Sequence, residues 1–444
     1  MNAEVTAIKT AAETALAQAF SQARSRLPGK GAIVAQRDAA FDVFAKSGLP
    51  HRRVEEWKYT DLRALMRDAK PLASPPDAAA KARAKTAGAL VGELEARRLV
   101  FVDGSFVAEL SDTAKLESGL TVGSLADALA ESDPALATHL GKLAPGSDVA
   151  VALNTALMGD GAVIRIAAGS TIERPLHLVF VTSEKPTASF VRSLVVVEPG
   201  ARVMLIESHE GPSGSDYQVN AALELFVGDR AHVDHVKIIT EGADALHVST
   251  LAAAIGAKAR FNAFTFTAGG AVVRNQLFLR FDGEDTVAGI RGATLIKGNQ
   301  HADTTLVVNH AARGCQSREM FKAVLDDEAH SVFQGRIIVR QAAQKTDAKM
   351  MTKALLLSER AEADSKPELE IFADDVQCGH GSTAGALDDE LKFYLMARGI
   401  PAAEAEALLI QAFLGEAIEG IEHAGLREIL MESVAAWLKA RGSA

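Results

Sequence analysis

The chain has 444 residues, 48% of them hydrophobic and 23% charged, with a formal net charge of −10. That balance excludes a disordered or collagen-like chain, predicts a soluble globular protein of two to four domains, and leaves no chain-wide basic footprint for nucleic acid. The only cysteines, Cys315 and Cys378, cannot build a disulfide framework or supply all four thiolates of an iron–sulfur site.

The N-terminus carries Glu4 and Glu13 and has no unbroken apolar core, so a signal peptide is not expected. No run of 18 uncharged apolar residues occurs, so no membrane span is expected either. Sparse cysteine usage makes a reducing, cytoplasmic setting the default expectation. Ile8, Ala11, Ala12, Ala15, Leu16 and Ala19 recur at helical spacing, and a second helix is predicted around Asp38–Ala45, ending at Gly48-Leu49-Pro50. Pro71 to Ala84 is rich in Ala, Pro and Lys and reads as a surface linker. Residues 98–110 read as a β-hairpin about Asp103-Gly104, and helical signal returns over Val122 to Leu140.

From about residue 150 the pattern changes to short apolar runs punctuated by Gly, Asp and Asn, with no helix-length segment before about residue 388. A local signature recurs within them. VEPGARV, VGDRAHV and IGAKARF each place a turn, then Ala201, Ala231 or Ala259, then a basic or polar residue and an apolar one; LDDEAHSVF repeats it near Ala329. Steps of 30 and 28 residues between these alanines suggest a β-solenoid with stacked coils. A propeller would carry aromatic punctuation, but Trp57 and Trp437 both lie outside the region. A sandwich of this length would be large but stays open.

The last segment is helical. Asp388, Asp389 and Glu390 suit a first turn, Arg398-Gly399 a stop, and Pro401 the start of the next helix. In that helix Leu408, Leu409, Ala412, Phe413, Ala417 and Ile421 form one apolar stripe, which either packs on its own domain or docks a partner. The chain thus divides into 1–147, mainly helical with a short hairpin; 148–387, built of strands; and 388–444, helical.

Familiar catalytic signals are missing: there is no P-loop, HExxH, GxSxG or CxxC, and Gly379 to Gly385 lacks dinucleotide spacing. His232 and His235 stand three apart, so a regular strand sends them to opposite faces; they read as structural or surface residues. Cys378 and His380 stand two apart, which puts both on one face. A thiol and an imidazole there suit iron or zinc, with Asp374 or Asp375 near enough to add an oxygen or orient the ring. The alternative is a buried cysteine beside a hydrogen-bonded histidine. As a metal site the pair is incomplete and needs ligands from another chain.

Leu355 to Ile400, containing QCGHGSTAG and FYLMARGI, resembles the signature of the SufD family, scaffold subunits of Suf iron–sulfur cluster assembly. Asn309 to Gly335 and the N-terminal RRVEEWKYTDL (Arg52 to Leu62) are also similar to that family. The related SufB family carries a Glu-His-Glu-Ala-Thr-Thr type sequence in place of Cys378 to Thr383, so the resemblance is to SufD. One departure is Gly379, where Ser is common.

The resemblance implies a right-handed parallel β-helix with helical domains at both ends, and no enzymatic activity. It implies a complex with SufB and the ATPase SufC, the latter docking on the C-terminal helices through residues such as Leu408, Leu409 and Phe413. It places nascent cluster formation at the SufB interface, with His380 as an iron or cluster ligand and Cys378 in a less defined role. The isolated chain is then expected to bind no cofactor, the cluster being transient, and a homodimer of it stays open. Two competing readings are a SufB-like scaffold with its own cluster, and a β-helix polysaccharide lyase or hydrolase using acids such as Asp282, Glu284, Asp285, Asp326 and Asp327.

Overall fold

In the computed structural model residues 9–441 are described; Glu4 and Ile8 lie outside them. From Ala162 onward consecutive strands alternate, in parallel, between two sheets, one of ten strands and one of nine, which stack as about eight turns of a flattened β-solenoid. The column Arg202, His232, Arg260, Val287, Gln316, Asp347, Gln377 runs in register through the first sheet. The second repeats the arrangement through Ala188, Gln218, Leu246, Val272, His301, His330 and Glu362.

The sequence signature is the corner of each coil. One turn residue takes the left-handed conformation (Gly200, Arg230, Lys258, Asp285, Gly314, Lys345), which turns the chain sharply enough to enter the next strand. The small residue that follows is buried against the turn below: Ala201, Ala231, Ala259, then Thr286, Cys315 and Thr346. The repeat therefore continues beyond the alanines, with other small side chains in the same place. Between the sheets lies a continuous apolar interior that includes Leu205, Val233, Phe261, Ile290 and Leu306.

Each outer face is covered. The helices Ala402–Ile418 and Ala424–Arg441 pack Ile410, Leu414, Ile418 and Leu430 on Ile206, Ile238, Phe266 and Leu295 of the ten-stranded sheet. N-terminal helices place Leu16, Phe20 and Leu153 against the other sheet at Leu246 and Val248. The first of these, Ala11–Ala23, starts from a reciprocal Thr10–Glu13 capping box. The Arg52–Leu62 motif docks through Trp57, which lies over the Arg274 guanidinium at 3.9 Å and donates to Asp148 at 3.1 Å.

Three expectations for the N-terminal region need correction. The Pro71–Ala84 stretch is no simple linker: Asp77 caps a helix, Ala78–Arg83, and Ala80 and Ala84 are buried on Val100, Val102 and Val179. Helix does not begin at Val122, because Leu120–Ser124 is a strand paired with Ala162–Ile166; Ser124 then caps the helix Leu125–Glu131. Val149–Leu157, at the start of the strand-rich pattern, is a helix buried on every side, so it has no polar face to betray its period. The hairpin does form about Asp103 and Gly104, both left-handed as a two-residue turn requires. Its first strand, Arg97–Val102, also joins the ten-stranded sheet beside Leu176–Val181.

Candidate functional site at the open end of the solenoid

The last two strands, Glu362–Ile371 and Gln377–Gly385, are the terminal members of the two sheets. Unlike every earlier coil they have no strand stacked on their far side, and most of their residues are exposed or half-buried. An uncovered strand edge presents unpaired N–H and C=O groups, a ready template for pairing with another chain. Phe372, beside this edge, is 57% exposed.

Gln377–Gly385 carries the predicted pair. Cys378 is in register with Ala348 and His380 with Met350, and both partners belong to the buried interior. Cys378 and His380 thus project from the inward-facing side of the terminal strand, Cys378 half-buried on the core and His380 exposed. A Cβ at Gly379 would meet nothing within 4 Å, so the departure from Ser leaves the strand path unconstrained. Burial, with the Asp347 and Glu319 carboxylates beside it, pushes the Cys378 thiol up and disfavours its thiolate in the isolated chain. Among the described residues no third His, Cys, Asp or Glu completes a metal-binding group with this pair. Asp375 is engaged instead in an ion pair with Lys345 in the preceding turn.

One rung beneath Met350, in the same column as His380, lies Glu319. It is 2% exposed, neither carboxylate oxygen has a hydrogen-bond partner, and burial pushes it up to about 7. The sequence reading did not reach Glu319. Its only signal is a carboxylate at an inward position of the strand Gln316–Leu325, visible once the register is known.

The other candidates separate. Cys315 is buried at a coil corner, its Sγ 3.2 Å from the Gly283 carbonyl, and burial raises its thiol too. His235 contacts Glu207 at 2.6 Å in the interior, whereas His232 lies on the other side of the chain near Asp234 and Glu422. Asp285 and Asp327 occupy left-handed turn positions, Asp282 pairs with Arg280, and Asp326 with Arg441. These acids are therefore tied up at separate corners and edges.

Of the expected stripe, Ala417 in the helix and Ile421, which lies in the turn beyond the helix end at Ile418, face the solenoid, while Leu408 and Ala412 are exposed and Leu409 and Phe413 half-buried. Phe413 lies under the Lys322 ammonium at 4.5 Å. The preceding helix, Asp389–Met396, has Asp389 and Glu390 in its first turn as expected, with Asp388 as its cap, and buries no side chain; Phe393 is 71% exposed, and Leu391, Tyr394 and Met396 are exposed with it. No helix among the described residues is long and apolar enough to cross a membrane.

Comparison with known proteins agrees with this architecture. Residues 179–413 match the family described as SUF system FeS cluster assembly, SufBD core domain, and residues 10–178 match the SufBD protein N-terminal region. An iron–sulfur cluster assembly SufBD family protein of Synechocystis is 35% identical over 90% of this chain and 90% of its own. The iron–sulfur cluster assembly protein SufD of Escherichia coli is 32% identical over 88% and 89%, and that of Bacillus subtilis 29% over 64% and 65%. With both regions matched along nearly the whole described fold, the chain belongs to the SufBD family of the SUF iron–sulfur cluster assembly system.

Proposed function

We propose that this chain is a SufD-type, non-enzymatic scaffold subunit, working in the cytoplasm, that assembles with SufB and the SufC ATPase. The observation that carries this reading is the Cys378/His380 pair on an uncapped terminal strand. A paired scaffold would continue the sheets across that edge and bring its own ligands to a half-site that offers one imidazole and one thiol. Iron and sulfide are the cargo. A neutral imidazole at His380 is a competent ligand, and the low thiolate population of Cys378 makes it the secondary one.

The ATPase is proposed to dock on the C-terminal helices, at Leu408, Leu409 and Phe413, with the apolar side chains of Asp389–Met396 continuing the surface. Contiguous exposed apolar side chains of this kind mark an interaction surface. Co-expression with SufB and SufC, followed by purification on a tag carried by this chain, tests the reading. Both partners are expected to co-purify with the wild type. Leu408→Asp and Phe393→Asp, both on exposed side chains, are expected to release SufC and retain SufB. Retention of SufC by both variants would move its docking surface elsewhere; failure of SufB to co-purify with the wild type would remove the proposal.

A further inference from the structure

Far from the open end, three side chains converge in the interior of the first coils. His209 lies on the strand Arg202–Glu210, Glu241 in the turn after His232–Thr240, and His247 on Leu246–Ile255. Their ligand atoms all lie within 4.8 Å of one another, and all three residues are buried. The family resemblance gives them no part in cluster assembly, and the apolar interior has no need of them.

Their hydrogen bonding is incomplete. Neither ring nitrogen of His209 has a partner among the described residues. His247 Nδ1 lies 3.1 Å from Glu241 Oε2, while Nε2 of the same ring is unpartnered. A nitrogen and a carboxylate oxygen at this spacing can sit side by side as neighbouring ligands of one ion, the ion replacing the proton between them. A neutral imidazole has one N–H and one lone pair, so the buried His209 ring leaves a lone pair unpartnered beside Glu241 and His247, and a buried unpartnered polar atom asks for a ligand.

The surroundings favour a cation. The second buried carboxylate nearby, Glu207, holds His235 at 2.6 Å through Oε2 and reaches His209 Nε2 only at 4.0 Å through Oε1, so Glu241 is the carboxylate grouped with both imidazoles. Phe180 stacks on His209 with centroids 4.7 Å apart and holds the ring plane. A small cavity of about 10 Å³ touches His209 and Glu241 and is bounded by Phe180, Thr182, Ser189 and Gly104. That is about the room one water-sized sphere needs. Gly104 belongs to the hairpin turn, which is pinned there by the Ser183 N–H donating to Asp103 Oδ1 at 2.7 Å.

We infer that His209, Glu241 and His247 form a binding site for one divalent transition-metal ion of borderline softness, of the zinc type, within the first coils of the solenoid. Two imidazoles and a carboxylate are a familiar donor set for such an ion, with the adjoining cavity supplying room for a water as fourth ligand. The site is independent of the Cys378/His380 pair and of the scaffold reading.

The test uses the full chain carrying Cys378→Ala and His380→Ala, so that ions held at the open end do not count. After treatment with a chelator, the protein is dialysed against Co²⁺, and bound metal and visible ligand-field absorption are measured. One Co²⁺ per chain with a low-symmetry spectrum is expected. Glu241→Gln, which keeps the side-chain volume, is expected to weaken binding at least ~10-fold. His209→Phe, which keeps a ring against Phe180, is expected to abolish the spectrum, with circular dichroism confirming the fold. Absence of stoichiometric Co²⁺ in the background chain, or unchanged binding in Glu241→Gln, overturns the inference whatever becomes of His209→Phe.

Discussion

His380 stands in register with Met350 across the final rung of the ten-stranded sheet, yet Met350 is buried and His380 is exposed. The difference comes from position alone: Met350 has a coil above it and His380 has none. A side chain that would be core in any earlier coil is thereby presented to whatever completes the stack. We predict that His380→Ala leaves this chain folded and able to co-purify with SufB and SufC, while cluster accumulation on the complex falls. Cys378→Ala should have the smaller effect. The readout is iron and sulfide content of the purified complex; normal loading in His380→Ala, or loss of the complex, would refute the prediction.

The two cysteines differ in the same way, by place in the stack. Cys315 fills a corner position that earlier coils give to Ala201, Ala231 and Ala259, whereas Cys378 is half-buried at the open end. Iodoacetamide should therefore alkylate native protein first at Cys378 and reach Cys315 only on unfolding, because alkylation needs an accessible thiolate. Cys315→Ala should cost about 1 kcal/mol, comparable to deleting one buried methylene. Peptide mass spectrometry after timed labelling, with a urea melt of the variant, checks both. Equal labelling of the two would contradict the corner assignment.

Much of this was legible beforehand. The alternation of apolar runs and the VEPGARV-type corners gave the solenoid, and the spacing of two in Cys378-Gly379-His380 gave a shared face. What stayed hidden has physical reasons. Thr286, Cys315 and Thr346 continue the corner column in a chemistry that an alanine-based signature passes over. The helix Val149–Leu157 is buried all round, and so lacks amphipathic period. Arg97–Val102 joins the solenoid by pairing with Leu176–Val181, a contact that no local pattern announces. Glu319, His209 and His247 acquire meaning only from inward direction and register, which are properties of the stacked coils.

The N-terminal region is fastened to the solenoid by a buried charge. Glu224 lies 2.9 Å from Arg192, both essentially inaccessible, and accepts the backbone N–H of Gly141 at 2.6 Å and of Leu143 at 2.8 Å. Removing the carboxylate strands both the guanidinium and the loop amides. Glu224→Ala should therefore destabilise the protein by about 3–5 kcal/mol, the usual cost of breaking a buried pair from one side. Replacing both partners, as in Arg192→Met with Glu224→Leu, should recover part of it. Urea unfolding of the single and double variants measures the difference; a loss below ~1 kcal/mol in Glu224→Ala would show the contact to be unimportant.

Glu319 offers a test in pH. Its folded-state pKa is raised from the ordinary 4.5 to about 7, because burial beneath Met350 disfavours the charged form. A raised pKa means that the unfolded chain releases the proton more readily. The stability associated with the neutral carboxyl is therefore complete below about pH 4.5, falls as pH rises, and is gone above about pH 7. Two to three units correspond to roughly 3 kcal/mol. The buried His301 and His310, both pulled down to about 4, act in the opposite sense, favouring the fold above the ordinary histidine value of 6.5 and withdrawing that support as pH falls. The whole-protein profile therefore mixes the two. Comparison with Glu319→Gln isolates the carboxyl, since the histidines are common to both proteins. The variant should match the wild type near pH 4.5 and exceed it increasingly up to about pH 7, with a constant gap beyond. Urea midpoints taken across that range decide it; a gap that does not change with pH would mean that Glu319 is ionised in the folded chain and partnered by a group other than those around it here.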